Sequence, residues 1–117
     1  MLTSLSNDLD NVRVDLGAVY EEKTIYLISG YYINTNVNVG SAVDLTPVSN
    51  GSYCFCVISC NRGDQFTLTA QGGNNSRAWA FVDSDNNLLS KADANVTVAN
   101  LKLIAPAVGS LIVNAYI

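Results

Sequence analysis

From Val19 onward the chain consists of short β-type runs separated by turn residues, at intervals typical of a β-sandwich. The turns are rich in Asn, Asp, Gly and Ser, which form tight turns through glycine flexibility or side-chain bonding to the backbone. The runs predict strands near residues 24–28, 31–33, 52–59, 65–70, 77–83, 101–104 and 110–116. Runs 52–59 and 77–83 are apolar on both faces, which predicts central strands. We therefore expect an all-β, antiparallel sandwich over residues 21–117.

Composition limits the classes of protein to which the chain can belong. Its 117 residues suit one domain, and 49% hydrophobic content is too high for a disordered chain. No apolar run approaches the length of about twenty residues that a membrane helix needs, so we expect no membrane insertion. A net charge of −4, with six scattered Lys and Arg, argues against nucleic acid as a partner.

The first twenty residues carry a different pattern. Apolar residues recur there at alternating intervals of three and four, which is the spacing of a coiled-coil seam. This predicts a short N-terminal helix over residues 1–20, preceding the β-domain at 21–117. The alternatives are a stem that associates several copies or a single amphipathic helix lying on its own domain. The predicted seam consists of Leu2, Leu5, Leu9, Val12, Leu16 and Val19.

Catalysis and metal binding have little support in the sequence. There is no histidine, which removes the common Ser-His and Cys-His pairs, so we expect no enzyme activity and no cofactor. Cys54, Cys56 and Cys60 fall on one face of a predicted strand, and we expect them to be buried, reduced thiols without a metal. Residues 83–87 resemble the start of a calcium loop but lack its glycine and closing glutamate, so we interpret them as a turn.

A carbohydrate-binding surface needs aromatic rings beside amide or charged hydrogen-bonding groups. The sequence offers such types near one predicted loop, although Trp79 also suits a core position within its strand. The candidate ligand-binding residues are Asn74, Asn75, Arg77, Trp79, Tyr31 and Tyr32.

Several segments share a pattern in which a strand follows a Gly-Asp turn, an aromatic-x-Asp hairpin comes next, and an Ala-Pro segment leads into the last strand. These segments are residues 30–34, 53–55, 62–68, 80–89, 104–107 and 111–113. The pattern resembles the jelly-roll domains that recur in bacteriophage fibre, receptor-binding and base-plate proteins. The resemblance covers residues 25–117 and implies a jelly-roll-like fold.

The resemblance also implies a function. Phage fibre proteins are often trimers with a helical stem below a globular β-tip, so we expect a fibre-like virion protein of head or tail. A homo-trimer, other virion proteins and a host-surface glycan are the expected partners. We expect it to be made in the bacterial host cytoplasm, since no signal peptide is visible at residues 1–5 and reduced cysteines suit that compartment. The alternatives are a monomeric carbohydrate-binding module of a surface protein or enzyme, and a capsid or tail decoration protein without a host ligand.

Overall fold

A computed structural model describes the protein over residues 2–4, 13–16, 19–21 and 25–117. The secondary structure of these residues is strand and turn, without a helix. The all-β expectation is therefore confirmed for this part of the chain. The strands are β1 (Leu2–Ser4), β2 (Arg13–Leu16), β3 (Val19–Glu21), β4 (Tyr26–Tyr32), β5 (Val48–Cys60), β6 (Gln65–Gln71), β7 (Trp79–Asp83), β8 (Leu88–Lys91), β9 (Thr97–Ile104) and β10 (Gly109–Tyr116).

The strands form two antiparallel sheets. One has six strands in the order β1-β4-β5-β10-β7-β8, and the other has four in the order β3-β2-β6-β9. Strands β5 and β7 both lie inside the six-stranded sheet, as their two apolar faces predict. Strand β6 alternates buried Phe66, Leu68 and Ala70 with more exposed residues, which is the period-two pattern of a strand with one face on a core.

A shared hydrophobic core lies between the two sheets. Phe66 and Leu68 of the four-stranded sheet pack there in one cluster with Phe81, Leu111 and Val113 of the six-stranded sheet. The rings of Phe66 and Phe81, one from each sheet, have centroids 6.1 Å apart. This common core makes the arrangement sandwich-like.

The outer face of the six-stranded sheet is covered by residues 33–47, here called the strap. Ile33 and Val43 of the strap form a second core with Phe55, Val82 and Ile112 of the sheet. Backbone hydrogen bonds fix the strap to the start of β8, since Gly40 N–H donates to Leu88 O at 2.8 Å and Leu88 N–H donates to Ser41 O at 2.8 Å. The middle of β5 at residues 54–56, together with the central residues of β7 and β10, is therefore buried on both faces.

The predicted helix over residues 1–20 falls largely on residues outside the described part and stays a prediction. The described stretches of that segment run as short strands, in which β1 pairs with β4 and β2 pairs with β3 and β6. The side chains of the predicted seam, and the division of the chain at residue 20, also stay untested.

After residue 25, several strands differ from the sequence prediction: β5 and β9 begin earlier than their predicted runs, and β4 and β8 differ more. The predicted runs 24–28 and 31–33 form one strand, β4, because Gly30 adopts a φ of 89° at a register shift and lets the chain continue. Strand β8 was not predicted, because four residues directly after a turn carry little alternation. A jelly-roll is a more specific topology than a pair of antiparallel sheets, and it stays a prediction.

Candidate functional site

The connection between β6 and β7 is a compact turn that only glycine can build. A Cβ on Gly72 would lie 2.2 Å from the backbone N of Ala78, so a side chain there would collide with the chain itself. A Cβ on Gly73 would lie 2.6 Å from the hydroxyl oxygen of Tyr53. Gly73 N–H donates to Ser76 O at 2.8 Å and closes the turn. The exposed residues Asn74 and Asn75 are thereby held at its tip.

Arg77 ties this turn to two other segments. Its Nε donates to Asn74 O, and its Nη1 donates to Ala92 O at 3.0 Å. Its Nη2 donates to the side-chain oxygens of Asn36 at 3.1 Å and Asn74 at 3.3 Å. The guanidinium thus joins the turn, the strap and the residue after β8, using its fork geometry to hold several acceptors at once.

The strap reaches the same turn from the other side. Thr35 N–H donates to Asn75 O at 2.9 Å, and Arg77 N–H donates to the Thr35 hydroxyl at 3.1 Å. Asn36 Nδ2 donates to Asn75 Oδ1 at 3.1 Å. Asn36, Asn74 and Asn75, here called the amide cluster, are all exposed and linked through Arg77 or through each other.

Three tyrosines lie beside the amide cluster. The ring of Tyr53 contacts Tyr32 at a centroid distance of 5.7 Å and Tyr116 at 5.5 Å, both edge to face. Tyr53 and Tyr116 are direct partners in the β5–β10 pairing, and Tyr116 is 53% exposed. We call Tyr32, Tyr53 and Tyr116 the tyrosine ladder. Because the Tyr53 hydroxyl lies against Gly73, the ladder and the amide cluster form one continuous surface.

A buried asparagine supports this surface from below. Asn114, fully buried, accepts a hydrogen bond from Ile33 N–H at 2.8 Å and donates from Nδ2 to Ile33 O and Arg77 O, each at 3.0 Å. It therefore connects the start of the strap to the end of the turn. Every polar atom of its side chain is satisfied, so this cross-link carries no penalty for an unpaired buried group.

The structure brings together four of the six predicted ligand-binding residues. Asn74, Asn75 and Arg77 share the turn, and Tyr32 belongs to the adjoining ladder. Tyr31 is 40% exposed on β4, but no ring contact joins it to the described aromatic residues.

Trp79 lies elsewhere. It is paired with Val113 of the inter-sheet core and packs on Phe81, with ring centroids 5.9 Å apart. Its ring therefore points between the sheets, away from the tyrosine ladder. It also lines an open groove of about 420 Å³ between strands β8 and β9, together with Lys91, Ala92, Asp93, Val96, Thr97, Val98 and Leu101.

The three cysteines are buried and form no disulfide, as the sequence predicts. Burial, with a smaller effect from neighbouring Cys54, raises the pKa of the Cys56 thiol from 9.0 to about 12. Burial also raises the pKa of Cys60, with Asp64 as a second cause. A thiol with a raised pKa holds little thiolate at neutral pH, which makes it a poor nucleophile and metal ligand.

Residues 83–87 form the predicted turn. Asp83 Oδ1 accepts from the backbone N–H groups of Asp85 and Asn87, each at 2.9 Å, and Asn86 adopts a φ of 63°. Among the described residues, no group of three His, Cys, Asp or Glu side chains could hold a metal ion. The same residues include no helix of the length and apolar character needed to cross a membrane.

Sequence reasoning missed Asn36, Tyr53 and Tyr116. Asn36 lies about forty positions before the turn that it contacts, and nothing local indicates that contact. The sequence did carry a signal for the two tyrosines. Each lies near one end of a predicted strand, next to a buried residue, Cys54 or Ala115, and neighbouring side chains in a strand point to opposite faces. Only the β5–β10 register places them side by side.

The chain matches no protein-family model, curated protein or solved structure.

Proposed function

We propose that this chain is a non-catalytic, fibre-like structural protein of a bacteriophage virion, with a jelly-roll-like tip that binds host-surface glycans. The ligand surface is the tyrosine ladder together with the amide cluster. The resemblance of residues 25–117 to phage fibre domains supports the virion assignment, and the surface supports the glycan assignment.

The observation that carries the glycan proposal is the contact between the tyrosine ladder and the turn that bears Asn74 and Asn75. Tyrosine rings offer an apolar face to the C–H groups of a sugar and a hydroxyl to its polar edge. Asparagine amides both donate and accept, which suits sugar hydroxyls. The combination matches the mixed apolar and polar surface of a pyranose ring.

The surface is also rigid in a way that favours binding. Gly72 and Gly73 are packed against backbone or side-chain atoms, and Arg77 anchors the turn through four hydrogen bonds. A surface ordered before binding loses less conformational entropy when the ligand arrives.

A structural role is supported by the state of the thiols. Cys54, Cys56 and Cys60 are buried, and the pKa of Cys56 is raised to about 12, so these groups are unsuited to nucleophilic chemistry. Free thiols that pack in a core also suit a protein folded in a reducing cytoplasm.

The alternative proposals are a carbohydrate-binding module from a larger protein and a virion decoration protein without a glycan ligand. The first shares the ligand surface but requires no trimer. The second requires the trimer or a virion partner but no glycan.

Glycan binding is tested with the full chain on an array of bacterial surface polysaccharides, followed by calorimetry with each glycan that binds. We expect Tyr116→Ala to weaken binding by about tenfold, because a stacked aromatic contact is worth about 1 kcal/mol or more beyond its area. Val57→Ala is the matched control, since Val57 is 41% exposed on the same strand as Tyr53 but farther along it.

Equal loss of affinity in Tyr116→Ala and Val57→Ala would place the ligand elsewhere. Absence of any glycan binding, with the protein still assembled on virions, would favour the decoration protein.

A further inference from the structure

We infer that the amide cluster recognises the carboxylate of an acidic sugar residue, with the tyrosine ladder contacting the neighbouring part of the glycan. This inference rests on the proposed function of the same surface and adds the chemical class of the ligand.

The orientation of the amides follows from Arg77. A guanidinium only donates hydrogen bonds, so the groups that Asn36 and Asn74 turn toward Nη2 must be their oxygens. The Nδ2 group of Asn74 consequently faces away from Arg77.

The orientation of the Asn36 amide in turn determines that of the Asn75 amide. Since Asn36 Oδ1 is turned to Arg77, its Nδ2 donates to Asn75 Oδ1 at 3.1 Å. Asn75 Nδ2 is then directed away from Asn36. Among the described residues, none accepts a hydrogen bond from Nδ2 of Asn74 or Asn75, and both side chains are exposed. The cluster therefore presents N–H donors outward.

The charge behind these donors is positive. Among the described residues, the four acceptors of the Arg77 guanidinium are carbonyl or amide oxygens, and none is a carboxylate. No direct ion pair with these residues therefore neutralises its charge. Exposed amide donors near a guanidinium without a carboxylate partner fit a carboxylate better than a hydroxyl, because hydrogen bonds to a charged acceptor are about twice as strong as neutral ones.

The position beside the tyrosine ladder favours an anion that is attached to a sugar ring. Tyr53 contacts Gly73, the residue before Asn74, so a ligand carboxylate at Asn74 and Asn75 brings its adjoining ring toward the tyrosines. A uronic acid within a polysaccharide and a terminal sialic acid share this chemistry.

The test compares ligands that differ only in charge. The first pair is a linear galacturonate tetrasaccharide and its methyl ester, and the second is sialyllactose and lactose, each titrated calorimetrically into the full chain. We expect the acidic member of one pair to bind at least about tenfold more tightly than its neutral partner, with the difference shrinking as salt rises. The pair that responds distinguishes a uronic acid from a sialic acid.

The variants Asn74→Asp and Asn75→Asp sharpen the test. Each keeps the oxygen that accepts from Arg77 or Asn36 while replacing the outward amide donor with a negative charge. We expect either variant to reduce acidic-sugar affinity by about tenfold or more. Asn61→Asp adds the same charge at the end of β5, beyond Cys60, and is expected to change affinity less than about twofold.

Each outcome bears on a different claim. Equal affinity for the acidic and neutral members would overturn the acidic-sugar inference and leave the proposed glycan function intact. Binding confined to neutral array glycans would do the same. Failure of every glycan, neutral or acidic, would overturn both.

Discussion

Asn114 acts as a substitute for a missing strand neighbour. Its amide bonds both the N–H and the C=O of Ile33, as a peptide group on an adjacent strand would, and it adds a bond to Arg77 O. Asn114 and Ile33 are both fully buried, so the N–H and C=O of Ile33 have no access to water as an alternative partner, whereas the bond to Arg77 O is part-buried.

We expect Asn114→Leu to lower the free energy of unfolding by about 2 to 4 kcal/mol, because it leaves the buried N–H and C=O of Ile33 and the part-buried Arg77 O unpaired. Urea unfolding followed by tyrosine and tryptophan fluorescence measures this change. The control is Asn61→Leu, since the side chain of exposed Asn61 makes no hydrogen bond to the described residues. If Asn114→Leu lowers the free energy of unfolding no more than Asn61→Leu does, the hydrogen bonds of the Asn114 side chain do not contribute to stability.

Cys56 links stability to alkaline pH. Burial raises the pKa of its thiol from 9.0 to about 12, so the unfolded chain releases this proton at lower pH than the folded protein does. The unfolded state therefore binds fewer protons between those values, and stability falls as pH rises through that window, by at most about 1.4 kcal/mol per pH unit.

We expect the free energy of unfolding to fall less steeply above pH 9 in Cys56→Ala than in the wild-type protein. Urea titrations at a series of pH values from 8 to about 11 give the two slopes. All other ionisable groups are common to both proteins and cancel in the comparison. Identical slopes would mean that Cys56 ionises in the fold as readily as in the unfolded chain.

At the level of elements, β10 holds the six-stranded sheet together. It pairs with β5 on one side and β7 on the other. Its consecutive residues Leu111, Ile112 and Val113 are all fully buried, so both of its faces are covered there. Gly109 begins the strand, and a Cβ there would lie 1.9 Å from Val82 O. Close approach of two backbones thus requires glycine at this position.

We expect Gly109→Ala to destabilise the protein by about 1 to 3 kcal/mol, because β10 must move away from β7 to admit the methyl group. Gly51→Ala is the matched control in β5, where nothing lies within 4 Å of the added Cβ. That variant should stay within about 0.5 kcal/mol of the wild-type value. Thermal unfolding of both variants gives the comparison, and similar midpoints would contradict the close approach.

The strap has no regular secondary structure, but it determines which part of the outer face of the six-stranded sheet is covered. It buries Ile33 and Val43 against the six-stranded sheet and delivers Asn36 to the turn before β7. The tyrosine ladder lies beside it, with Tyr116 exposed and Tyr32 and Tyr53 half-buried. The covered core and the proposed ligand surface therefore lie on the same face of one sheet.

At the scale of the whole molecule, the predicted trimer is the property that separates a fibre from an isolated binding module. Light scattering of the full chain is expected to give three times its 12.5 kDa mass. We expect the double substitution Leu5→Asn and Leu9→Asn in the predicted seam to reduce this to one chain, because buried polar groups at seam positions weaken association. Asp8→Asn, outside the seam, should leave the mass unchanged. A monomeric wild-type protein would instead favour the carbohydrate-binding module.

Much of the fold follows from local sequence pattern. Alternation and turn residues determine the all-β class, the central position of β5 and β7, and the burial of the three cysteines, because strand periodicity acts over a few residues. The turn at residues 72–75 could also be predicted from local sequence, because Gly and Asn favour turns through their own backbone and side-chain properties. Asn74, Asn75 and Arg77 could be identified as candidates for that reason.

The rest depends on contacts between residues far apart in sequence. The strap carries no periodic signal, so only packing reveals that it closes a second core. Trp79 has a side chain that suits a ligand surface or a core, and the structure shows it half-buried, packed against the inter-sheet core and lining the groove between β8 and β9. Asn36, Tyr53 and Tyr116 join the site through strand register and loop packing, which are long-range properties that no local pattern encodes. The sequence alone thus determined most strands after residue 25 and the turn that bears the asparagines, because alternation and turn chemistry are local. The tertiary structure decided the pairing of the strands and which aromatic rings lie beside that turn, because register and packing join residues far apart in sequence.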